Sequence, residues 1–237
     1  MMPELNTYRI FSLGDCAITL DFGNTINEAI NKEIIARFNQ LTEHPLPGMI
    51  EVVPAYSSLT VYYDVFQLRK QVPAGQTVCE WITGQLEIRM ESLLPENNFS
   101  SKIITIPVCY EKEFAPDIEE MARVKNIPVA EVIQIHTSKT YRVYMLGFLP
   151  GFAYMGEVEK KIEMPRKLQP VKKVEAGSIG IAGRQTGIYP LASPGGWQII
   201  GRTPLKLFDA TKKEPTLLKA GDRVQFISIS KNEFENY

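Results

Sequence analysis

The sequence predicts an α+β N-terminal domain followed by a mainly β C-terminal domain that forms a closed or nearly closed barrel. Up to about residue 90, strand and helix signals follow in the order β-β-α-β-β-α, which is typical of a small sheet with helices on one face. Residues 95–101, Pro-Glu-Asn-Asn-Phe-Ser-Ser, are polar and lack periodicity, which indicates a linker. From Thr140 onward, short apolar runs alternate with glycine and proline, which favours a barrel of short strands.

In the first domain, residues 8–13 and 16–22 are predicted strands around a Gly14-Asp15 turn. Asn24 or Thr25 is the expected N-cap of the first helix, whose apolar face recurs at helical spacing: Ile26, Ile30, Ile34, Phe38 and Leu41. That helix should end at Pro45, Pro47 and Gly48. Two further strands, 50–53 and 59–63, precede a helix capped by Thr77, with a buried side formed by Trp81, Ile82, Leu86 and Met90.

The second domain is predicted to begin with a strand over residues 102–109. Asp117 then lies at a helix cap position, and the expected inner residues of that helix are Ile118, Met121, Ala122 and Val124. Residues 129–135 indicate a second helical turn, and the remaining predicted strands are 141–146, 178–182, 197–201, 205–208 and 223–229. The predicted domain boundaries are therefore 1–94 and 102–237.

Composition excludes several classes of function. The 237 residues carry a net charge of -1, so no global field attracts nucleic acid or an anionic membrane. Cys16, Cys79 and Cys109 are far apart, and the two histidines are His44 and His136, so neither a disulfide framework nor a metal site is expected. Without a signal-peptide core or a membrane-spanning run, the expected location is the cytoplasm.

Several short segments carry candidate functional residues. Gly147 to Gly156 combines glycine, proline and aromatic residues, and is either one wall of a ligand cleft or a barrel corner whose aromatics cap the core. Arg184, Gln185 and Thr186 lie between two glycines, where the arginine can hold a carboxylate and the other two can bind an amide; a polar hairpin end is the alternative. The glycine spacing matches no nucleotide-binding fingerprint.

Further candidates follow along the chain. Ser193 begins a segment in which the backbone N–H groups of Gly195 and Gly196 can cradle an oxyanion, whereas the neighbouring Trp197 is expected in the core. Arg202 is a second candidate anion partner. His136 is either a general base or, as a lone histidine at a helix end, structural. Cys109 is expected to be a buried small hydrophobe. The basic run 160–173 is expected to be a solvated loop, or a site that attracts an anionic substrate or docks an acidic partner.

Taken together, these motifs resemble the family of the 5-oxoprolinase B subunit, also called kinase A inhibitor (KipI) or allophanate hydrolase subunit 1. The matching runs are Gly147–Phe152, Ala176–Gly183, Gln185–Pro190, Ser193–Trp197 and Gly201–Pro204, with shorter pieces at Gly14-Asp15, 53–56, 106–110 and His136. The resemblance covers nearly the whole chain. Two departures are Ala153, where many relatives have proline, and Arg184, where glycine is common, so the shared chemistry need not use Arg184.

The resemblance implies a ferredoxin-like N-terminal domain, a cyclophilin-like C-terminal barrel, and partners similar to the C and A subunits of 5-oxoprolinase. Such complexes consume ATP, bound by or shared with the partner proteins, to open the lactam of 5-oxoproline and yield glutamate. For that reaction Arg202 is a catalytic candidate, and His136 and Tyr141 are candidates for proton transfer. The substrate-binding candidates are Arg184, Gln185, Thr186, Ser193, Gly195 and Gly196.

Two other functions stay open at this point. The family includes inhibitors of a histidine kinase, so the chain can instead be a binding module that docks on a helical bundle. A cyclophilin-like proline isomerase is a third reading, although likeness of fold does not carry activity.

Overall fold

The computed structural model describes residues 8–91 and 103–237. These residues fall into two compact units, and the division lies between residues 99 and 100. The predicted linker, residues 95–101, lies outside the described residues, so the predicted domain boundaries stay a prediction. Within the two described ranges, none of the helices is both long and apolar enough to span a bilayer.

The first unit is an antiparallel sheet with three helices. Its strands run in the order β1-β2-β4-β3 and comprise Arg9–Ser12 (β1), Ala17–Asp21 (β2), Met49–Pro54 (β3) and Ser58–Tyr63 (β4). The helices are Glu28–Glu43 (α1), Val65–Arg69 (α2) and Val78–Glu91 (α3). Alternate strand residues such as Leu20 and Val61 are buried in one cluster with Ile34 and Ile82 of the helices. The order β-β-α-β-β-α is confirmed, with the short helix α2 as an unpredicted addition.

The start of α1 differs from the prediction. The N-cap is Asn27, not Asn24 or Thr25, because the Asn27 side chain accepts hydrogen bonds from the N–H groups of Ala29 and Ile30 at 2.8 and 3.1 Å. Ile26 therefore lies outside the helix. The predicted cap of α3 is confirmed: Glu80 N donates to the Thr77 hydroxyl at 3.1 Å, and Thr77 N donates back to the Glu80 carboxylate at 2.8 Å.

The second unit contains a closed barrel of seven strands. Around the barrel the order is β10-β7-β6-β13-β5-β12-β9, and β9 pairs with β10 to close it. The barrel strands are Ile103–Cys109 (β5), Thr140–Leu146 (β6), Ala153–Gly156 (β7), Ser178–Ala182 (β9), Gln185–Ile188 (β10), Gln198–Arg202 (β12) and Arg223–Ile229 (β13). A separate two-stranded ribbon consists of Val171–Val174 (β8) and Ser193–Gly195 (β11). The predicted closed barrel is confirmed, whereas the ferredoxin-like and cyclophilin-like assignments stay predictions.

Helices and turns pack around this barrel. They are Ile118–Lys125 (α4), Val129–Ser138 (α5), a 3-10 turn at Lys160–Ile162, and Lys231–Glu235 (α6). Two predictions were wrong. Val124 is exposed, because its position on α4 lies off the stripe of Ile118, Met121 and Ala122 that faces the core. Residues 205–208 form no strand, since the one ladder contact there is an isolated bridge from Phe208 to Thr216.

Candidate functional site

A pocket of about 220 Å³ opens in the second unit beside strands β8, β9 and β12. One part of its wall is apolar and consists of Phe114, Pro116, Val171, Val174 and Ile199. The polar part consists of Glu113, Lys167, Lys173, Glu175, Ser178 and Arg202. Of the site residues predicted from the sequence, Arg202 is the one that lines this pocket.

Arg202 and Ser178 face each other across neighbouring strands. They are register partners of β12 and β9, so their side chains lie on the same face of the sheet. Arg202 Nε donates to the carbonyl oxygen of Ala176 at 2.8 Å. Its terminal nitrogens form no hydrogen bond or ion pair with the residues that the structure describes, and neither does the Ser178 hydroxyl, although Ser178 is 4% exposed. Both groups are therefore available to a ligand in the pocket.

The other charges of the pocket wall are matched in pairs. Lys173 Nζ lies 2.7 Å from Glu175, and Lys231 Nζ lies 2.6 Å from Glu113. The hydrogen bond from Lys173 lowers the pKa of Glu175, and Arg202 contributes a smaller part of that effect. Lys167 and Lys173 are therefore each paired with a carboxylate. Within the described residues, Arg202 is the cation of the pocket wall that forms no ion pair.

Asp117 connects two parts of the pocket wall, Lys167 and strand β12, to the start of α4. At the start of α4 its side chain makes no capping bond. Instead Asp117 Oδ1 accepts from Lys167 Nζ at 2.7 Å, and Oδ2 accepts from the backbone N–H of Ile199 at 2.6 Å. The backbone N–H of Asp117 donates in turn to the Ile199 carbonyl at 3.0 Å. The carboxylate thus fixes α4, β12 and the Lys167 side chain relative to one another.

His136 lies in the barrel core and is fully buried. Its Nδ1 atom is 2.7 Å from the Tyr110 hydroxyl, and its Nε2 atom is 3.1 Å from the Thr186 hydroxyl. The ring stacks on Phe226 with centroids 4.5 Å apart. Burial lowers the pKa of His136 to about 3, so the imidazole is neutral at physiological pH.

Tyr141, the second predicted proton-transfer residue, is also buried. Its hydroxyl donates to the backbone carbonyl of His136 at 3.1 Å, and burial raises its pKa. Neither His136 nor Tyr141 lines the pocket that contains Arg202. Their catalytic role stays a prediction, and the geometry instead gives both side chains and Thr186 a structural role in the barrel core.

Arg184 lies in the turn between β9 and β10. Its guanidinium contacts the carboxylate of Glu157, and its Nε atom is 3.3 Å from a carboxylate oxygen of Glu163. Gln185 begins β10 and pairs with Gly156. Arg184 and Gln185 are therefore separate from the pocket, and their predicted role in substrate binding stays a prediction.

Ser193, Gly195 and Gly196 support the pocket wall from β11 and the residue after it. The Ser193 hydroxyl donates to the carbonyl of Pro194 at 3.1 Å. A Cβ atom on Gly195 would lie 2.5 Å from the Tyr189 hydroxyl oxygen, which explains the glycine by close packing. Gly196 accepts a hydrogen bond from the backbone N–H of Lys167 at 2.7 Å. None of these three residues lines the pocket, and their predicted contacts with substrate stay predictions.

The aromatic segment from Gly147 to Gly156 has the packing of a barrel corner. Phe152 is buried and lies edge-on to Tyr189 and Trp197, with ring centroids 5.1 and 5.5 Å away. Residues 153–156 continue as strand β7. The prediction that Trp197 belongs to the core is confirmed. Cys109 is likewise buried, and burial raises the pKa of its thiol.

Sequence reasoning missed Ser178 and the tether formed by Asp117. Ser178 stands in a run of small and apolar residues, and Asp117 carries the signal of an ordinary helix cap. Only the pairing of β9 with β12 brings Ser178 opposite Arg202. Two signals in the sequence pointed to this pocket: the positive charge of Arg202, and the basic run 160–173, of which Lys167 and Lys173 line the pocket.

Comparison with known proteins shows the family to which the chain is related. The family model described as carboxyltransferase domain, subdomain C and D, matches residues 8–218. The B subunit of 5-oxoprolinase from Bacillus subtilis (strain 168) is 46% identical over 231 residues, which are 97% of this chain and 96% of that protein. The protein of the same name from Escherichia coli O157:H7 is 36% identical over 92% of this chain and 95% of its own length.

Solved structures show the same relationship. TTHA0988 is similar with a TM-score of 0.78 and 34% identity over 90% of this chain, which spans only 40% of that longer chain. PH0987 from Pyrococcus horikoshii is 41% identical with a TM-score of 0.55, over 95% of this chain and all of that one. The Kluyveromyces lactis urea carboxylase, at 20% identity and a TM-score of 0.75, shares the fold. The chain therefore belongs to the family of the 5-oxoprolinase B subunit, within the carboxyltransferase C and D domains.

Proposed function

We propose that this chain is one component of a 5-oxoprolinase complex, which opens the lactam of 5-oxoproline to glutamate at the expense of ATP. The observation that carries the proposal is 46% identity to a 5-oxoprolinase B subunit along 97% of the chain, because similarity of that extent includes both compact units. Proteins similar to the C and A subunits of the enzyme are the proposed partners.

The reaction needs an activated carbonyl. The nitrogen lone pair of a lactam is delocalised into its carbonyl group, so water attacks the carbon slowly. Phosphoryl transfer from ATP to the carbonyl oxygen removes this resonance and releases ADP. Attack by one water on the carbonyl carbon and cleavage of the C–N bond, with a proton taken up by the nitrogen, leaves an acyl phosphate of glutamate. A second water then cleaves this acyl phosphate into glutamate and phosphate. A site for such chemistry requires fixed positive charge near the substrate. Arg202, which lines the pocket with free terminal nitrogens, is the residue that we assign to holding the anionic substrate in place for this chemistry.

The pocket does not fit ATP itself. Its volume of about 220 Å³ is smaller than the roughly 300–1,000 Å³ of typical sites for drug-sized ligands. The ammonium groups of Lys167 and Lys173 are already bonded to Asp117 and Glu175. We therefore assign ATP to a surface that is provided by, or shared with, the partner proteins, and the pocket to a smaller molecule.

The proposal is tested by ATP hydrolysis stimulated by 5-oxoproline. The assay compares this chain alone with mixtures that contain the proteins of the same genome that are similar to the C and A subunits. Activity that appears only in the complete mixture is the expected result. A mixture that assembles, as judged by size-exclusion chromatography, but hydrolyses no ATP with 5-oxoproline would overturn the proposal. Inhibition of histidine-kinase autophosphorylation would then be the next function to measure.

A further inference from the structure

We infer that the pocket between β9 and β12 binds the carboxylate of a small organic monoanion through Arg202 and Ser178. With 5-oxoproline as that anion, the inference rests on the proposed function and extends it by naming the part of the substrate that this chain holds. The binding mode itself depends only on the charges, hydrogen-bond donors and size of the pocket.

The charge of the pocket wall selects a single negative charge. Lys167 and Lys173 are each within 2.7 Å of a carboxylate, and Glu113 is within 2.6 Å of Lys231. Among the described residues this leaves the guanidinium of Arg202 as the unmatched cation in the wall. A ligand with one carboxylate balances that charge, whereas a phosphate ester with two or more charges would meet Glu113 and Glu175 without further cations to offset the repulsion.

The available donors suit a carboxylate. The Arg202 Nε atom is fixed by the Ala176 carbonyl at 2.8 Å, so the terminal nitrogens are the part of the guanidinium left for a ligand. Guanidinium groups pair with carboxylates through parallel N–H bonds, and these charge-assisted bonds are stronger than neutral ones. The Ser178 hydroxyl faces the same space from the partner position on β9 and can donate a further bond.

Ser178 gives an independent indication of a ligand. The residue is 4% exposed, and its hydroxyl makes no hydrogen bond within the described part of the chain. The Ser178 hydroxyl is not among the fully buried polar atoms that lack a partner in the described residues, so this oxygen is open to the pocket and can donate to a ligand there. A bound carboxylate or an ordered water satisfies it. Since the neighbouring Arg202 nitrogens are unpaired as well, one anion satisfies both groups.

The rest of the wall suits the body of a small ring. The apolar lining residues are Val171, Val174, Ile199 and Phe114. Contact with these side chains favours a carbon skeleton over a hydrated inorganic anion. The volume of about 220 Å³ restricts the ligand to a compact molecule, such as a five-membered ring with one carboxylate.

The test is a titration of the full chain, followed by calorimetry or NMR, with 5-oxoproline, its carboxamide, and cyclopentanecarboxylate. The wild type should bind the carboxylates about tenfold or more tightly than the carboxamide, as expected for a charge-assisted pair. Arg202→Gln should remove that preference. Ser178→Ala should weaken carboxylate binding by roughly threefold to tenfold, the range of one hydrogen bond. Arg123→Gln on the exposed face of α4 and Ser228→Ala on β13 are the matched controls and should bind like the wild type.

Different outcomes separate this inference from the proposed function. The inference is overturned if the wild type binds carboxylate and carboxamide with equal affinity, or if neither carboxylate shows saturable binding. Both results come from the wild type alone, so they hold even if Arg202→Gln fails to fold. Binding of cyclopentanecarboxylate but not of 5-oxoproline, with loss in Arg202→Gln, supports the carboxylate site and removes 5-oxoproline as its ligand. If the complete enzyme mixture is active but the chain binds carboxylates no more tightly than the carboxamide in the titration, the proposed function is supported and the carboxylate site is rejected.

Discussion

The Tyr110 hydroxyl lies 2.7 Å from Nδ1 of His136, and this contact starts a chain of hydrogen bonds through the barrel core. The Thr186 hydroxyl donates to the Gly180 carbonyl at 3.1 Å and therefore accepts from His136 Nε2. His136 Nδ1 is then an acceptor, and Tyr110, whose pKa burial raises well above its usual value, is the donor. Every polar atom of the neutral imidazole has one partner, which allows a histidine to be fully buried.

Removal of the first donor in this chain should destabilise the fold. Tyr110→Phe keeps the aromatic ring but leaves Nδ1 of His136 buried without a partner. The free energy of unfolding should fall by about 1–3 kcal/mol, the cost of an unsatisfied buried polar atom. Denaturant unfolding measures this change. Tyr237→Phe makes the same substitution at an exposed position and should be neutral; an equal effect of both variants would contradict the explanation.

Stability should also depend on pH through His136. Its pKa is about 3 in the folded protein, against an ordinary value of 6.5, because burial disfavours the charged form. The unfolded chain therefore binds a proton that the folded chain does not, and stability that is complete above pH 6.5 is lost as the pH falls toward 3. The slope from this residue is at most about 1.4 kcal/mol per pH unit.

Denaturant unfolding between pH 5 and 6.5 measures that slope before most carboxylates titrate. His136→Gln should be less stable at every pH but should show a flatter dependence. His44→Gln removes an exposed histidine and should keep the slope of the wild type. A slope that is the same in all three proteins would exclude His136 as its source.

Substitution of two glycines in the second unit should distinguish the cost of backbone strain from the cost of steric crowding. Gly177 has φ +83°, and a Cβ atom there would lie 2.3 Å from the Thr203 carbonyl oxygen; Gly183 has φ +58° and open space around it. Gly183→Ala should cost about 1–2 kcal/mol from the left-handed backbone alone. Gly177→Ala should cost about 1–3 kcal/mol more, because the backbone at Thr203, just after β12, has to move. Thermal or denaturant unfolding of both variants decides this, and equal losses would contradict the crowding.

Asp117 should matter more than an exposed carboxylate on the same helix. Asp117→Ala leaves the N–H of Ile199 without its acceptor and separates Lys167 from its ion pair, so stability should fall by about 1–3 kcal/mol. Glu119→Gln removes only an exposed pair with Lys112 and should change stability by less than about 1 kcal/mol. Asp117→Asn, which keeps an oxygen for Ile199, should retain part of the stability that Asp117→Ala loses.

Secondary structure could be predicted from the sequence where local patterns decide it. Thr77 and Glu80 form a capping box, which can be recognised in the sequence from the spacing of the two residues. The confirmed strands have alternating or β-branched residues. The first turn of α1 could not be placed, because Asn24, Thr25 and Asn27 all have side chains that can cap a helix. Residues 205–208 have the composition of a strand, but strand formation requires a neighbour with free backbone groups, and the structure supplies one only at Phe208.

The candidate site was only partly predictable, because it depends on contacts between distant segments. Arg202 was recognisable by its charge, whereas its partner Ser178 is 24 positions away and comes opposite it only through the register of β9 and β12. His136 and Thr186 illustrate the converse. Both are residue types that often act in catalysis, and the structure places them in hydrogen-bond contact inside the barrel core.

The most direct test of the central claim is the activity of the assembled complex with Arg202→Ala. We predict that this variant folds and assembles, and that kcat/KM for ATP hydrolysis dependent on 5-oxoproline falls by about 100-fold or more, because the substrate loses the contact that positions it. Arg123→Ala, which removes an exposed arginine of α4, should leave kcat/KM unchanged. Wild-type activity in a correctly assembled Arg202→Ala complex would show that this pocket is not where the substrate is held.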